Sequence, residues 1–317
     1  MSDTPPSWAD IRDAAARIAP HAFITPVMRS DTLDRLTGTH LYFKCENLQR
    51  GAAFKFRGAC NAVWSLDDHV AARGVVTHSS GNHGNALALA AATRGIPAHV
   101  VVPEGAVRAK VDAITRAGAI VHRCEATQAA REAMASRVQQ QTGAELVHPY
   151  ADARVMAGQG TLVPELFHQA GQLDALLTPV GGGGLAAGCA IAAHGLAPGM
   201  PLFVAEPEGA DDTARSLAQG ARVEPFTPHT LCDGLRTLVG APNFQVLRSH
   251  GVTAVTVSDE EAVAAMKWLW SELKLVVEIS SAIVLAAVLR QPGQFVGKRI
   301  GLVLTGGNVD LEDLPWR

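Results

Sequence analysis

A doubly wound α/β architecture in two open sheets is the fold class this chain predicts, and three observations predict it. β-Branched runs alternate with alanine-rich runs of helical length. Glycine ends most of the helical runs, and the segments after the apolar strands are polar or glycine-rich. The 317 residues, 48% of them apolar and 18% charged, supply enough core for such a fold and exclude wholesale disorder.

The elements follow in order. Residues 74–78 (GVVTH) read as a strand and 82–94 as a helix ended by Gly95-Ile96-Pro97. Residues 98–103 (AHVVVP) form a second strand, followed by a helix over 107–117 that Gly118 stops. A third strand over 119–123 leads into a helix over 126–141, stopped by Gly143, and 145–148 gives a fourth strand. The second set opens with a strand over 173–180, four glycines and a helix over 185–194. Strands over 201–205, 252–257 and 299–304, with helices over 259–275 and 281–290, complete it. No low-complexity linker and no fixed-period repeat interrupts the series.

Composition excludes several functions. Lys plus Arg number 27 against 30 Asp plus Glu, a net charge of −3 that leaves no footprint for nucleic acid or an anionic membrane. Five scattered cysteines without a Cys-x-x-Cys pair argue against a disulfide framework and a structural zinc site, and for a reducing compartment. The polar start, residues 1–6, does not read as a secretory signal, and the longest apolar stretches are too short for a membrane span. A cytoplasmic protein is expected.

In open α/β sheets ligands bind beyond the carboxyl ends of the strands. Gly181, Gly182, Gly183 and Gly184 lie between a strand and a helix, where successive backbone N–H groups converge on an anion. The owner of that anion stays open. Gly182-x-Gly184-x-x-Ala187, with Glu206 after the next strand, also fits a loose dinucleotide fingerprint and hence a nicotinamide-dependent oxidoreductase. Ser79-Ser80-Gly81-Asn82-His83-Gly84 suits a carboxylate and exceeds what a helix cap needs. Lys55, one of six lysines against 21 arginines, lies between Phe54 and Phe56. Partial burial would make it a nucleophile, but the segment alone favours a lysine whose head reaches solvent. The acidic loop from Glu206 to Asp212 suits a hard cation or plain solvation. No His-Glu-x-x-His, Gly-x-Ser-x-Gly or complete P-loop occurs.

Phe54-Lys55-Phe56-Arg57-Gly58, the 79–84 segment, Gly158-Gln159-Gly160-Thr161, the tetraglycine and Thr305-Gly306-Gly307-Asn308 occur in a telling order. With these five motifs the chain resembles the serine/threonine dehydratase and serine racemase family of fold type II pyridoxal-phosphate enzymes, over about residues 20 to 312. The resemblance implies a large cofactor-binding domain, 1–73 with 152–317, a small mobile domain, 74–151, and an active site in the cleft between them. It reverses the local reading of Lys55, which becomes the Schiff-base lysine beside Phe54. It gives the cofactor phosphate to Gly181, Gly182, Gly183 and Gly184, the ring hydroxyl to Asn82 and the pyridine nitrogen to Thr305. Ser79, Ser80, Gly81, Asn82 and His83 would hold the substrate carboxylate, and Ser80 matches the acid/base opposite the lysine in racemases. Glu206, the Ala210 carbonyl and Asp212 match a divalent-cation site for Mg2+ or Ca2+.

The activity so implied is β-elimination from a β-hydroxy amino acid (threonine, serine, 3-hydroxyaspartate or phenylserine) to a 2-oxo acid and ammonia, by a homodimer. Racemisation by Lys55 and Ser80 is the alternative within the family, and a silent cofactor-binding protein is a third. Arg131 corresponds to an arginine near the substrate hydroxyl, and in the pocket it would favour 3-hydroxyaspartate. Asp233, Arg236 and Thr237 lie in the matching loop. Gly51-Ala52-Ala53 departs from the usual Gly-Ser before the phenylalanine, which predicts altered lysine positioning or substrate fit. Tyr150 stands where relatives often carry phenylalanine or asparagine, and no C-terminal regulatory domain is expected after Asn308.

Overall fold

The computed structural model describes residues 4–106, 108–224 and 226–316, and its strands fall into two sheets. In chain order they are β1 (Val27–Met28), β2 (His40–Cys45), β3 (Val75–Thr77), β4 (Ala98–Pro103) and β5 (Ile120–Cys124). β6 (Glu145–Leu146), β7 (Ala175–Pro179), β8 (Leu202–Pro207), β9 (Thr253–Val257) and β10 (Arg299–Leu304) follow. The larger sheet runs β1-β2-β10-β7-β8-β9 and the smaller β5-β4-β3-β6. Every pairing is parallel except β1 against β2.

A parallel sheet must be covered on both faces, and alternation along β10 shows how. Ile300, Leu302 and Leu304 enter the core made with helices Asp259–Leu273 and Ile279–Arg290. Val303 points the other way, into the core made with helix Gly184–Leu196.

The helix expected over 82–94 and the strands over 98–103 and 299–304 form with those bounds. Two central elements escape the pattern. β2 lies between β1 and β10, and its sequence HLYFKC hides its place because Lys44, fully buried, breaks the apolar run. Helix Lys55–Trp64 carries a buried arginine, Arg57, for the same reason. The fourth small-sheet strand is shorter than 145–148 and ends at Leu146. The start of the expected 107–117 helix falls on residue 107, outside the described residues, and the helix described is Arg108–Arg116.

The turn before Lys55 is tight. Gly51 and Ala52 both take left-handed backbone, with φ of 68° and 55°. A Cβ in that region costs about 1–2 kcal/mol, partly offset by the extra unfolded-state freedom of glycine. Ala52→Gly is therefore expected to raise stability by about 0.5–1 kcal/mol in urea titration. A loss of stability would mean that the Ala52 methyl is used in packing.

Candidate active site

Lys55 opens its helix, and the loop before it is pinned to the end of β10. The Phe54 N–H donates to the Thr305 carbonyl at 3.0 Å, and the Gly307 N–H to the Ala52 carbonyl at 2.9 Å. Asn308 Nδ2 reaches the Gly51 carbonyl at 2.8 Å, and Ala53 bridges to Gly306. The turn before the lysine and the segment that carries Thr305 are thus hydrogen-bonded to one another. Lys55 Nζ donates to the Pro149 carbonyl at 3.0 Å and stands 5.1 Å from the centre of the Phe54 ring. Burial pulls its pKa down to about 8, against the opposing pull of the Glu278 charge. This is no surface lysine with its head in solvent. It is an amine at the cleft whose neutral form is reached near neutrality.

The segment that meets it, 147–151, is held by His148. His148 Nδ1 accepts the N–H groups of Ala151 at 3.0 Å and Tyr150 at 3.4 Å, and burial pushes its pKa down to about 4. The ring stays neutral at physiological pH, and its acceptor nitrogen fixes the turn that presents the Pro149 carbonyl.

Each glycine of the tetraglycine is demanded by a neighbour. A Cβ at Gly181 would sit 3.0 Å from the Leu235 backbone, and at Gly182 2.4 Å from the Tyr150 ring. Gly183 has φ +86°, and a Cβ at Gly184 would lie 2.9 Å from the Tyr150 carbonyl oxygen. The backbone can therefore be approached closely. Among the described residues none of the N–H groups of Gly181, Gly182, Gly183 and Gly184 has an acceptor in the protein. Unpartnered donors at the start of helix Gly184–Leu196 form an anion site. The dinucleotide reading loses its ribose acid here: Glu206 is fully buried and accepts the N–H groups of Thr213 at 3.0 Å and Ala214 at 2.8 Å.

The 79–84 segment leads from β3 into helix Asn82–Arg94. Gly84 is required because a Cβ there would strike the Ser79 carbonyl oxygen. Ser79, Ser80, Gly81 and Asn82 are half-buried, whereas His83 is buried, its Nε2 3.4 Å from the Val147 carbonyl. Burial, and the Lys55 charge after it, hold the His83 imidazole neutral, well below its ordinary pKa. The His83 side chain is turned inward, so its backbone N–H is what it can offer a carboxylate.

Across the cleft, Asn82 Nδ2 donates to both oxygens of Glu278, at 3.0 and 3.2 Å. Burial, then the nearby Asp233, push the Glu278 carboxyl up to about 7. Lys110 of helix Arg108–Arg116 pairs with Asp233, a second tie between the two sides.

Arg131 lies on helix Gln128–Thr142, and its charge bears on His78, Cys124 and Tyr150. The arginine is half-buried, and its Nε donates back to the Thr127 carbonyl of its own helix at 3.4 Å. Glu206 and Asp212 face one another. Burial first, then the Asp212 charge, push Glu206 up to about 8, and burial pushes Asp212 up to about 6. Asp212 Oδ2 accepts the Val239 N–H at 2.8 Å, while its buried Oδ1 has no partner. Ala210 is buried beside them, but among the described residues no group of three or more His, Cys, Asp or Glu is arranged to hold a metal.

The model of a protein family described as "Pyridoxal-phosphate dependent enzyme" matches residues 18–306. The chain belongs to that family. Among its relatives, a beta-hydroxyaspartate dehydratase of Paracoccus denitrificans is 47% identical over 98% of this chain and 99% of its own. A serine racemase of Arabidopsis thaliana is 48% identical over 96% and 93%. The solved structure of maize serine racemase superposes with a TM-score of 0.95 at 43% identity, covering 97% of this chain and 95% of that one. The two-sheet α/β fold is that of these pyridoxal-phosphate enzymes, and the residues present fit their cofactor. Unpartnered N–H groups await a phosphate, and a deep amine of lowered pKa lies within the same cleft.

Sequence reasoning missed three residues of this pyridoxal-phosphate enzyme's site, Glu278, Pro149 and His148, and quoted Asn308 in a motif without giving it a role. None of the three carries a local signal. Glu278 reads as an ordinary residue before a helix, and Pro149 acts through its carbonyl alone.

Proposed function

We propose that this enzyme eliminates water from a β-hydroxy amino acid, with 3-hydroxyaspartate as the preferred substrate, and releases a 2-oxo acid and ammonia. The observation that carries the reading is Lys55: a half-buried lysine whose amine donates to the Pro149 carbonyl and has its pKa pulled down to about 8, in one cleft with an unpartnered N–H cradle and the Ser79–His83 segment. Bound pyridoxal phosphate supplies an electron sink for the charge that develops at Cα. Gly181, Gly182, Gly183 and Gly184 hold its phosphate, Phe54 and Thr305 flank its ring, and Asn82 meets the ring hydroxyl. Lys55 Nζ anchors the group and then takes the Cα proton as its neutral amine. Ser79, Ser80, Gly81, Asn82 and the His83 N–H orient the substrate carboxylate. Residues 74–151 act as a mobile unit that closes over the cleft.

The dicarboxylate preference rests on Arg131. A second carboxylate in the cleft needs a cation, and Lys110 is already paired with Asp233. The relative named beta-hydroxyaspartate dehydratase supports the same choice. Arg131→Ala is expected to lower kcat/KM for 3-hydroxyaspartate by about tenfold to a hundredfold while changing that for serine by less than about threefold. Equal losses on both substrates would remove Arg131 from the pocket. Ser80, half-buried in the 79–84 segment, is proposed as the acid/base opposite Lys55, which would allow racemisation of serine as a second activity, measured as D-serine formed from L-serine.

A divalent cation, Mg2+ or Ca2+, is proposed at Glu206, the Ala210 carbonyl and Asp212. Two buried carboxylates with raised pKa values make an oxygen-rich set short of positive charge. Both hold protons more tightly folded than unfolded, so without a cation their contribution to stability falls as pH rises from the ordinary carboxylate range to about 8. Added Mg2+ or Ca2+ is expected to raise Tm more at pH 8 than at pH 6, and Asp212→Ala to abolish that response. A Tm indifferent to cation and chelator at pH 8 would remove the site. We propose a homodimer in a reducing, cytoplasmic compartment. All five cysteines are free and buried, and among the described residues no helix is long and apolar enough to cross a membrane.

A further inference from the structure

We infer that Glu278 is a positioning residue: from the large-sheet side of the cleft, its carboxylate fixes the amide of Asn82 and with it the 79–84 segment. The inference rests on the elimination reading for its role in turnover, and on geometry alone for the contact.

Glu278 occupies the N-cap position of helix Ile279–Arg290, yet its side chain makes no capping hydrogen bond. Both oxygens face Asn82 Nδ2 instead, at 3.0 and 3.2 Å, and the carboxylate also accepts the Asn308 backbone N–H. A carboxylate that forgoes an available cap for a partner 196 residues away is held there by the tertiary structure. Its backbone N–H donates to the Gly306 carbonyl at 2.9 Å, and a Cβ at Gly306 would lie 2.6 Å from Glu278 Oε1, so the glycine lets the carboxylate come close. The carboxylate is therefore wedged against the segment that carries Thr305.

Asn82 is fixed from both ends. Its Oδ1 accepts Asn308 Nδ2 at 2.9 Å, and Asn308 Nδ2 also reaches the Gly51 carbonyl at 2.8 Å. Turning the Asn82 amide over would set oxygen against the Glu278 carboxylate and donor against the Asn308 donor, so one orientation survives. In that orientation the Asn82 amide nitrogen faces Glu278 and its oxygen faces Asn308. No cation pairs directly with Glu278 among the described residues; Lys55, Lys110 and Asp233 act on it at longer range. Burying such a carboxylate is costly. A neutral side chain could hold Asn82 only with an acceptor in the same place.

A double-mutant cycle tests this. Cofactor affinity is read by fluorescence titration of cofactor-free protein with pyridoxal phosphate, and kcat/KM is read on the best β-hydroxy amino acid. Glu278→Ala is expected to weaken both by about tenfold to a hundredfold. Glu278→Gln, which keeps an oxygen for Asn82 Nδ2, should recover most of that loss. In an Asn82→Ala background, Glu278→Ala should cost less than about twofold more. Losses that multiply in the double variant, or a Glu278→Gln as poor as Glu278→Ala, would overturn the inference. Should Glu278→Ala fail to fold, Asn82→Asp decides the question. It sets two carboxylates together, and Glu278→Gln on top restores a donor–acceptor pair and at least about tenfold in cofactor affinity; no such rescue overturns the inference. The affinity arm stands even if no β-hydroxy amino acid is turned over, so failure of the elimination reading is told apart from failure of this one.

Discussion

Replacing Lys55 by alanine is expected to lower elimination by at least about a thousandfold, because one substitution removes both the covalent anchor and the base. The neighbouring imidazoles and lysines are committed elsewhere. Of the other groups deep in the cleft, His148 uses its acceptor nitrogen on the Ala151 N–H, and His83 is turned to the Val147 carbonyl. Lys44, fully buried, is committed to Glu165 at 2.7 Å, and Lys110 is paired with Asp233. Borohydride should fix the cofactor to the wild-type chain at Lys55 and fail on the variant, while urea titration should find the fold intact. A variant that keeps more than about a tenth of wild-type elimination would place the base elsewhere.

Arg57→Ala is expected to cost about 3–5 kcal/mol of stability, the largest effect of any single polar substitution outside the cleft. Arg57 is fully buried and its guanidinium is saturated. Nε and Nη2 grip Glu46 at 2.7 and 2.9 Å, and Nη1 and Nη2 grip Glu165 at 2.6 and 2.7 Å. Lys44, also fully buried, closes the set against Glu165, so two cations offset two carboxylates. Removing the arginine leaves Glu46, itself fully buried, without a cation, and that uncompensated charge dominates the cost. Because Arg57 lies two residues beyond Lys55 in the first turn of the same helix, the loss should also loosen the lysine. Arg57→Lys keeps a charge but cannot bridge two carboxylates in fork geometry, and should fall between. Urea unfolding checks the series; a loss under about 1 kcal/mol for Arg57→Ala would mean that the quartet adds no net stability.

How much of this was legible in the sequence depends on how far each signal reaches along the chain. The tetraglycine was legible because strand, turn and helix start are contiguous, and so were helix Asn82–Arg94 and β4, whose patterns are complete within themselves. β2 was not, because Lys44 is tolerated in a central strand only through Glu165, 121 residues away. Lys55 misled locally because the carbonyl that receives its proton belongs to Pro149, 94 residues on; ordered motifs along the whole chain corrected the reading where the segment could not. Glu278 left no trace at all. Its partner, Asn82, opens a helix 196 residues away, and before a helix a glutamate is unremarked. The Ala52-Ala53 departure proves to be a second left-handed residue in the lysine's turn, accepted with strain rather than by rearrangement.

The central claim is that the site of Lys55, the 181–184 cradle and Arg131 converts a β-hydroxy dicarboxylic amino acid to a 2-oxo acid. The most direct test is to supply the purified, pyridoxal-phosphate-loaded protein with the D and L, threo and erythro forms of 3-hydroxyaspartate, beside threonine and serine, and to assay oxo acid, ammonia and chirality together. The account predicts oxaloacetate and ammonia in equal amounts from at least one 3-hydroxyaspartate isomer, at a higher kcat/KM than any monocarboxylic substrate gives. No oxo acid from any 3-hydroxyaspartate isomer, or a higher kcat/KM for oxo acid from serine or threonine, would contradict it, whether or not serine is also inverted.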